Sequence, residues 1–205
     1  MAGAVCFWGD SMAAGMCSNS TCMADYISAS ENIYNGGFGG QDTAYIKSQF
    51  LLLSERRQWA QVFWGGQHVN GTAQAEADNV LAMIAALPHR DFIIVSGIND
   101  GHLAAQQGPG GSQYLKVMDY NAILQAAYPD NYLDLHGIMV ADGIANADSQ
   151  SVNYDAPPSY WQPTDVHFNT AGGTKAAQEM RSKLMALNFM GASALRTQIA
   201  RCGNR

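Results

Sequence analysis

The chain has 205 residues, of which 47% are hydrophobic and 14% charged, with a formal net charge of −6. That length suits one domain with a sizeable core, and the apolar content excludes an intrinsically disordered chain. The acidic balance and the absence of any Lys/Arg cluster exclude nucleic acid as an expected partner.

Strand and helix signals alternate from the start. The apolar run Ala4-Val5-Cys6-Phe7-Trp8 reads as a buried strand ending in a glycine turn. Thr21 to Ser28 reads as a short helix capped by Ser18 or Ser20. Asn32 to Tyr34 suits a second short strand, ending in the turn Asn35-Gly36-Gly37-Phe38-Gly39-Gly40. Thr43 to Trp59 carries apolar residues at Tyr45, Ile46, Phe50, Leu53 and Trp59, which predicts an amphipathic helix. Gln61-Val62-Phe63-Trp64 is a third strand, closed by Gly65-Gly66-Gln67-His68. Ala73 to Leu87 predicts a helix stopped by Pro88, and Phe92-Ile93-Ile94-Val95 a fourth strand of the continuous apolar kind found in parallel sheets. A helix from Gln113 to Tyr128 and a short strand from Tyr132 to Leu135 follow. Residues 144–164 are polar, contain three prolines and read as a long functional loop. The last helix begins at Asn169 or Thr170 and runs to about Leu187.

This alternation predicts an α/β fold: a three-layer α/β/α sandwich around a central, mostly parallel sheet. No internal repeat or second domain is visible. Residues 1–205 therefore read as one domain with its core at about 4–187, and 188–205 as a tail or surface helix. No apolar run approaches the ~20 residues needed to span a bilayer. The first apolar run is already a strand, so no signal-peptide pattern is expected, and localisation and oligomeric state are not readable. Cys17 and Cys22 sit five apart, an arrangement compatible with a bridge in an oxidising compartment or with free thiols. No Cys or His spacing suggests zinc.

Two short motifs carry the chemistry. Gly9-Asp10-Ser11 places a serine at the carboxyl end of the first strand, where ligands bind in open α/β sheets. Asp165-Val166-His167 places a carboxylate and an imidazole two residues apart near the other end of the chain. A serine hydroxyl is a poor nucleophile at neutral pH; it needs an imidazole to take its proton and a carboxylate to fix the imidazole's tautomer. Each motif alone is common in turns. Their order, and the glycine-rich turns between them, point to a Ser11–His167–Asp165 relay.

These residues resemble the SGNH hydrolases, also called GDSL-like esterases, in four ordered blocks. Gly9-Asp10-Ser11 resembles the nucleophile block, and Asn35 to Gly40 the second block, whose last glycine gives a backbone N–H to the oxyanion. Gly65-Gly66-Gln67-His68 stands where the third block, Gly-x-Asn, normally falls. Asp165-Val166-His167-Phe168-Asn169 resembles the terminal block, with one residue between Asp and His where the family has two. The resemblance spans roughly residues 4–187 and implies a flavodoxin-like fold, an oxyanion hole of Ser11, Gly40 and either His68 or Asn70, and no metal or cofactor. A neutral histidine can donate through one ring N–H, so His68 can stand in for the usual asparagine. Gly97-Ile98-Asn99-Asp100 is a rival third block, matching Gly-x-Asn-Asp in every letter but following the fourth strand. The stretch from Tyr120-Asn121 to Asp134 also resembles members active on carbohydrate esters.

The expected substrate is a small ester or an acetylated carbohydrate. Tyr154, Tyr160 and Trp161 lie in the loop before the terminal block, and Tyr160 and Trp161 are candidates for stacking on a sugar ring; loop packing is the competing reading. A lipid or thioester acyl hydrolase, with Met12, Met16 and Met23 lining an acyl groove, is the first alternative. A non-catalytic carbohydrate-binding module is the second, kept open by the short Asp-x-His spacing and the missing third-block asparagine. His89, His102 and His136 show no partner pattern and read as surface or helix-end residues.

Overall fold

The structure is a computed structural model that describes residues 4–15, 32–65 and 71–189. The expected helix at 21–28, the cysteine pair 17 and 22, and the tail after residue 189 lie outside the described residues.

The described strands are β1 (Ala4–Gly9), β2 (Asn32–Gly37), β3 (Ala60–Trp64), β4 (Phe92–Val95) and β5 (Tyr132–Leu133). They form one sheet in the order β2-β1-β3-β4-β5, every neighbour parallel. β1 and β3 are central, with Gly9 opposite both Gly37 and Trp64. All carboxyl ends therefore share one edge, and Ser11 lies just beyond it.

Residues alternate between the two faces of a strand, and two separate cores result. Val5, Phe7, Val62, Trp64, Ile93 and Val95 face one layer, built from α4 (Leu135–Ala145) and α6 (Thr170–Ala186). Cys6, Trp8, Phe63, Phe92 and Ile94 face the other, built from α1 (Thr43–Leu52), α2 (Ala73–Ala85) and α3 (Ser112–Ala127). This is the three-layer α/β/α sandwich that the sequence predicts. Gln61 lies within the second core because its amide is satisfied: Trp8 Nε1 donates to Oε1 at 2.7 Å, and Nε2 donates to the Arg56 carbonyl at 2.9 Å.

Several boundaries differ from the sequence reading. β2 runs on through Asn35-Gly36-Gly37 instead of turning at Asn35. A Cβ on Gly36 would meet the Trp8 ring at 2.6 Å, and one on Gly37 the Ala14 nitrogen at 2.0 Å. These two glycines thus serve close strand packing. The helix predicted from Thr43 to Trp59 breaks at Leu53 and continues as a 3₁₀ segment, Ser54–Gln58. β5 stops at Leu133 because Asp134 caps a helix the sequence reading missed; its Oδ1 accepts from Gly137 N at 2.9 Å. Part of the expected loop at 144–164 is also helical, as α5 (Ser149–Tyr154), capped by Asp148.

Candidate active site

At the carboxyl edge of β1 the backbone has no spare room. A Cβ on Gly9 would lie 1.7 Å from the Trp64 carbonyl oxygen, so only glycine fits where β1 leaves the sheet beside β3. Asp10 is buried and starts the turn: its Oδ1 accepts from Met12 N at 2.9 Å, and its carbonyl accepts from Ala14 N at 3.0 Å. This Asx turn holds Ser11 against the sheet edge, with 4% of its surface exposed.

The chain returns to this point 156 residues later. His167 Nε2 lies 2.9 Å from Ser11 Oγ, and His167 Nδ1 lies 3.1 Å from Asp165 Oδ1. Asp165 Oδ1 also accepts from the backbone N–H of His167 at 2.7 Å. With Nδ1–H donating to the carboxylate, Nε2 is left as the acceptor facing the serine hydroxyl. The one-residue spacing does not separate the carboxylate from the ring; it makes a tight turn in which one oxygen serves both N–H groups. The structure thus brings Ser11, Asp165 and His167 together. Phe168 anchors the far side of the loop, buried at 6.3 Å from the Trp64 ring, and Asn169 caps α6 by accepting from Gly172 N at 3.0 Å.

Gly40 sits at the same sheet edge, after β2. The Gln41 N–H donates to the Phe38 carbonyl at 3.2 Å and Gly40 has φ +72°, so the turn needs a residue in the left-handed region. The Phe38 N–H donates to the Gly9 carbonyl at 2.8 Å, which ties this turn to the nucleophile strand. Asn35 adds a second tie, donating from Nδ2 to the Ala14 carbonyl at 3.0 Å. His68 and Asn70 lie outside the described residues.

The rival block after β4 is committed elsewhere. Asn99 is fully buried, and its Nδ2 donates to the Gln106 and Tyr154 carbonyls at 2.9 and 3.2 Å. Its Oδ1 lies 3.0 Å from His136 Nε2. Of the two readings of His136, surface or helix end, the second holds: it is buried at the start of α4, within reach of Asn99 and of the Asp155 carbonyl at 2.9 Å. The interval of 37 residues between Asn99 and His136 hides this pairing from local pattern. His102 also has a partner, with Nε2 2.9 Å from the Gln162 carbonyl.

Tyr160 and Trp161 pack edge to face at 5.1 Å directly before the His167 loop. Asn169 clamps them from the other side, its Nδ2 donating to the Tyr160 carbonyl at 2.8 Å and its N–H to the Trp161 carbonyl at 2.9 Å. The Trp161 ring is partly buried against the first core. Tyr160 is more open, with its hydroxyl donating to Asp142; desolvation and that carboxylate push its pKa up to about 12. Burial pushes the Cys6 thiol up to about 12 as well, which suits a core residue and not a nucleophile. Asn121, named in the sequence only as part of the stretch running to Asp134, brackets Gly97 by accepting from its N–H at 2.8 Å and donating to its carbonyl at 2.9 Å, a pairing that sequence reasoning missed. It also missed Gln150 and Gln162, two buried amides in what reads as a polar loop.

Among the described residues, no group of three or more His, Cys, Asp or Glu side chains is arranged to hold a metal ion, and no helix is long and apolar enough to cross a membrane. A cleft of about 350 Å³ lined by Ile84, Leu87, His89, Arg90 and Tyr128 lies at the opposite, amino-terminal edge of the sheet.

No family model matches the sequence. No curated protein matches it either. Solved structures do. A lipase/acylhydrolase from Enterococcus faecalis superposes with a TM-score of 0.66 at 15% identity, over 89% of this chain and 95% of that one. An acetyl xylan esterase superposes at 0.63 and 19% identity, over 87% and 98%. A variant of an acetyl-xylooligosaccharide esterase from Geobacillus superposes at 0.65 and 12% identity, over 89% and 94%. The chain therefore has the α/β fold of the GDSL-like, or SGNH, hydrolases, and the superpositions cover 87–89% of its length.

Proposed function

We propose that the chain is a serine esterase of the SGNH hydrolase family and that its substrate is an O-acetylated carbohydrate. The observation that carries the reading is the contact sequence from Ser11 Oγ through His167 Nε2 and Nδ1 to Asp165 Oδ1 at the carboxyl edge of the sheet. Ser11 Oγ attacks the ester carbonyl carbon while His167 Nε2 takes the hydroxyl proton. The same proton passes to the departing alcohol as the carbon–oxygen bond breaks, leaving acetyl-Ser11. Water then attacks the acyl group, with His167 again taking and returning a proton, and acetate leaves. Asp165 holds the ring in the tautomer that leaves Nε2 free. Backbone N–H groups of Ser11 and Gly40, with His68 or Asn70, would receive the oxyanion; each such donor is typically worth about 2.7–4 kcal/mol.

Two of the structural neighbours act on acetylated xylan or xylooligosaccharides, and Tyr160 beside Trp161 offers an aromatic surface next to the catalytic loop. A second reading, a lipid or thioester acyl hydrolase, draws on the lipase/acylhydrolase neighbour. Turnover of acetyl and octanoyl nitrophenyl esters separates the two, alongside acetate release from acetylated xylo-oligosaccharides. Preference for acetyl groups and release from the sugar support the proposal. A preference for octanoyl with no sugar deacetylation moves the assignment to the acyl hydrolase. Absence of any ester turnover, with no phosphonate label on Ser11, overturns both.

A further inference from the structure

Gln162 lies three residues before Asp165. Pro163, Thr164 and Asp165 beside it are exposed, yet Gln162 itself has 0% of its surface exposed. Burying an amide is costly unless its donors and acceptors are all matched. Here they are. Nε2 donates to the Val166 carbonyl at 3.0 Å and to the Asn99 carbonyl at 3.2 Å. Oε1 accepts from Gln150 Nε2 at 3.2 Å and from Gly101 N at 3.4 Å. Both N–H bonds and both carbonyl lone pairs are thereby in use.

Val166 is the single residue between Asp165 and His167, and its carbonyl belongs to the peptide that delivers His167. The other brace on that peptide is the Asp165 carboxylate, whose side chain is 55% exposed. A hydrogen bond to an exposed carboxylate competes with water and holds geometry weakly. The buried tie from Gln162 does not face that competition, and it joins the loop to the exit of β4 at Asn99 and Gly101. We infer that Gln162 is a positioning residue for His167: by gripping the Val166 carbonyl it sets the imidazole at hydrogen-bonding distance from Ser11, without touching the reacting atoms. The inference rests on the Ser11–His167 reading above.

Gln162→Met keeps the volume of the side chain and removes all four hydrogen bonds. Gln150→Met breaks into the same network but leaves the bond to Val166, and so separates positioning from general stability. Both variants should melt below the wild type. Only Gln162→Met should lose kcat, by about tenfold to a hundredfold as expected for an ångström-scale misplacement, with KM within about twofold. A double-mutant cycle with Asp165→Asn supplies the readout that a merely structural role would not move. If both residues act by orienting His167, the double variant should lose clearly less than the product of the two single losses. Should Gln162→Met fail to fold, Gln162→Asn, which keeps the amide but shortens its reach, is read in the same cycle. A folded Gln162 variant with unchanged kcat, equal kcat losses in the Gln150 and Gln162 variants, or strict multiplicativity with Asp165→Asn overturns the inference. Failure of the wild type to hydrolyse esters or to take a phosphonate at Ser11 would instead refute the parent reading.

Discussion

At Ser11 one hydroxyl faces one imidazole nitrogen at 2.9 Å. Ser11→Ala removes a single buried oxygen, so the fold should persist while kcat falls by on the order of 10⁴–10⁶. His167→Ala should be about as severe, because the attacking oxygen then has no acceptor for its proton. Asp165→Asn should be milder by about two orders of magnitude, in line with the rank order seen when such relays are dismantled. Its exposure supports that order: water can accept from Nδ1–H in its place, and an asparagine Oδ1 can still accept from the His167 backbone N–H. Melting curves separate slow chemistry from unfolded protein in these variants, because a phosphonate cannot count sites that lack the Ser11 hydroxyl or its base. Equal losses for the Asp165 and His167 variants would give the carboxylate a larger part than its exposure suggests. The third oxyanion donor is tested in the same assay. His68→Ala should lower kcat by about a hundredfold or more with a smaller change in KM, and His68→Asn should retain much of the activity. Asn70→Ala should be mild; the reverse ranking would assign the donor to Asn70. Asn99→Ala should instead lower the melting temperature, because it removes an amide already bonded to the Gln106 and Tyr154 carbonyls.

Elements whose apolar pattern is continuous were legible in the sequence, and those made by caps were not. β4 was read with its observed boundaries because Phe92-Ile93-Ile94-Val95 is buried on both faces and has no competing period. α4 was missed because Tyr132-Leu133-Asp134-Leu135 reads equally well as a strand, and only the Asp134 cap decides otherwise. α5 was missed for the same reason; six residues are too few to show a period, and its stability comes from Asp148. That carboxylate accepts from Gln150 N, Ser151 N and Ser159 N, at 3.0, 3.2 and 3.1 Å, and so also pins the chain leading to Tyr160. Partial burial raises the Asp148 pKa, but the hydrogen bonds from Ser159, Ser151 and Gln150 outweigh it and the net shift is downward. A depressed carboxylate contributes stability that is present above its unfolded pKa and is lost as pH falls through the folded one. Asp148→Ala should therefore cost about 1 kcal/mol at pH 7. The gap to wild type should narrow once the pH drops below about 3.9. Urea unfolding at pH 7 and at pH 3 measures both; a gap that widens on acidification would contradict the assigned role.

On the scale of the molecule, the site is where three distant segments meet, and that explains which parts of it could be read. Ser11, Gly40 and His167 each sit in a short motif at a strand end or before a helix cap, so sequence order alone placed them on one edge. Gln162, Gln150 and His136 belong to no motif, and the stretch that holds Asn121 gives no sign of its partner; each is defined by partners between 4 and 63 residues away, and only the folded chain pairs them. The sheet also divides the molecule into two cores of unequal relevance to chemistry. Ile94 belongs to the core facing α1, α2 and α3, and Phe168 to the core that carries α6 and directly adjoins His167. Both are essentially fully buried. Ile94→Ala and Phe168→Ala should each cost about 2–5 kcal/mol of stability by removing packed methylene or ring volume. Their effects on turnover should part. The Ile94 variant, assayed well below its melting point and counted by Ser11 titration, should keep kcat within about threefold, because the layer it loosens does not hold the terminal block. The Phe168 variant should lose kcat as well, because the ring against Trp64 is what anchors the residue following His167. Matched stability losses with a selective kcat loss in the Phe168 variant would show that catalysis draws on one face of the sheet. A similar kcat loss in both would mean that the two cores communicate through the strands they share.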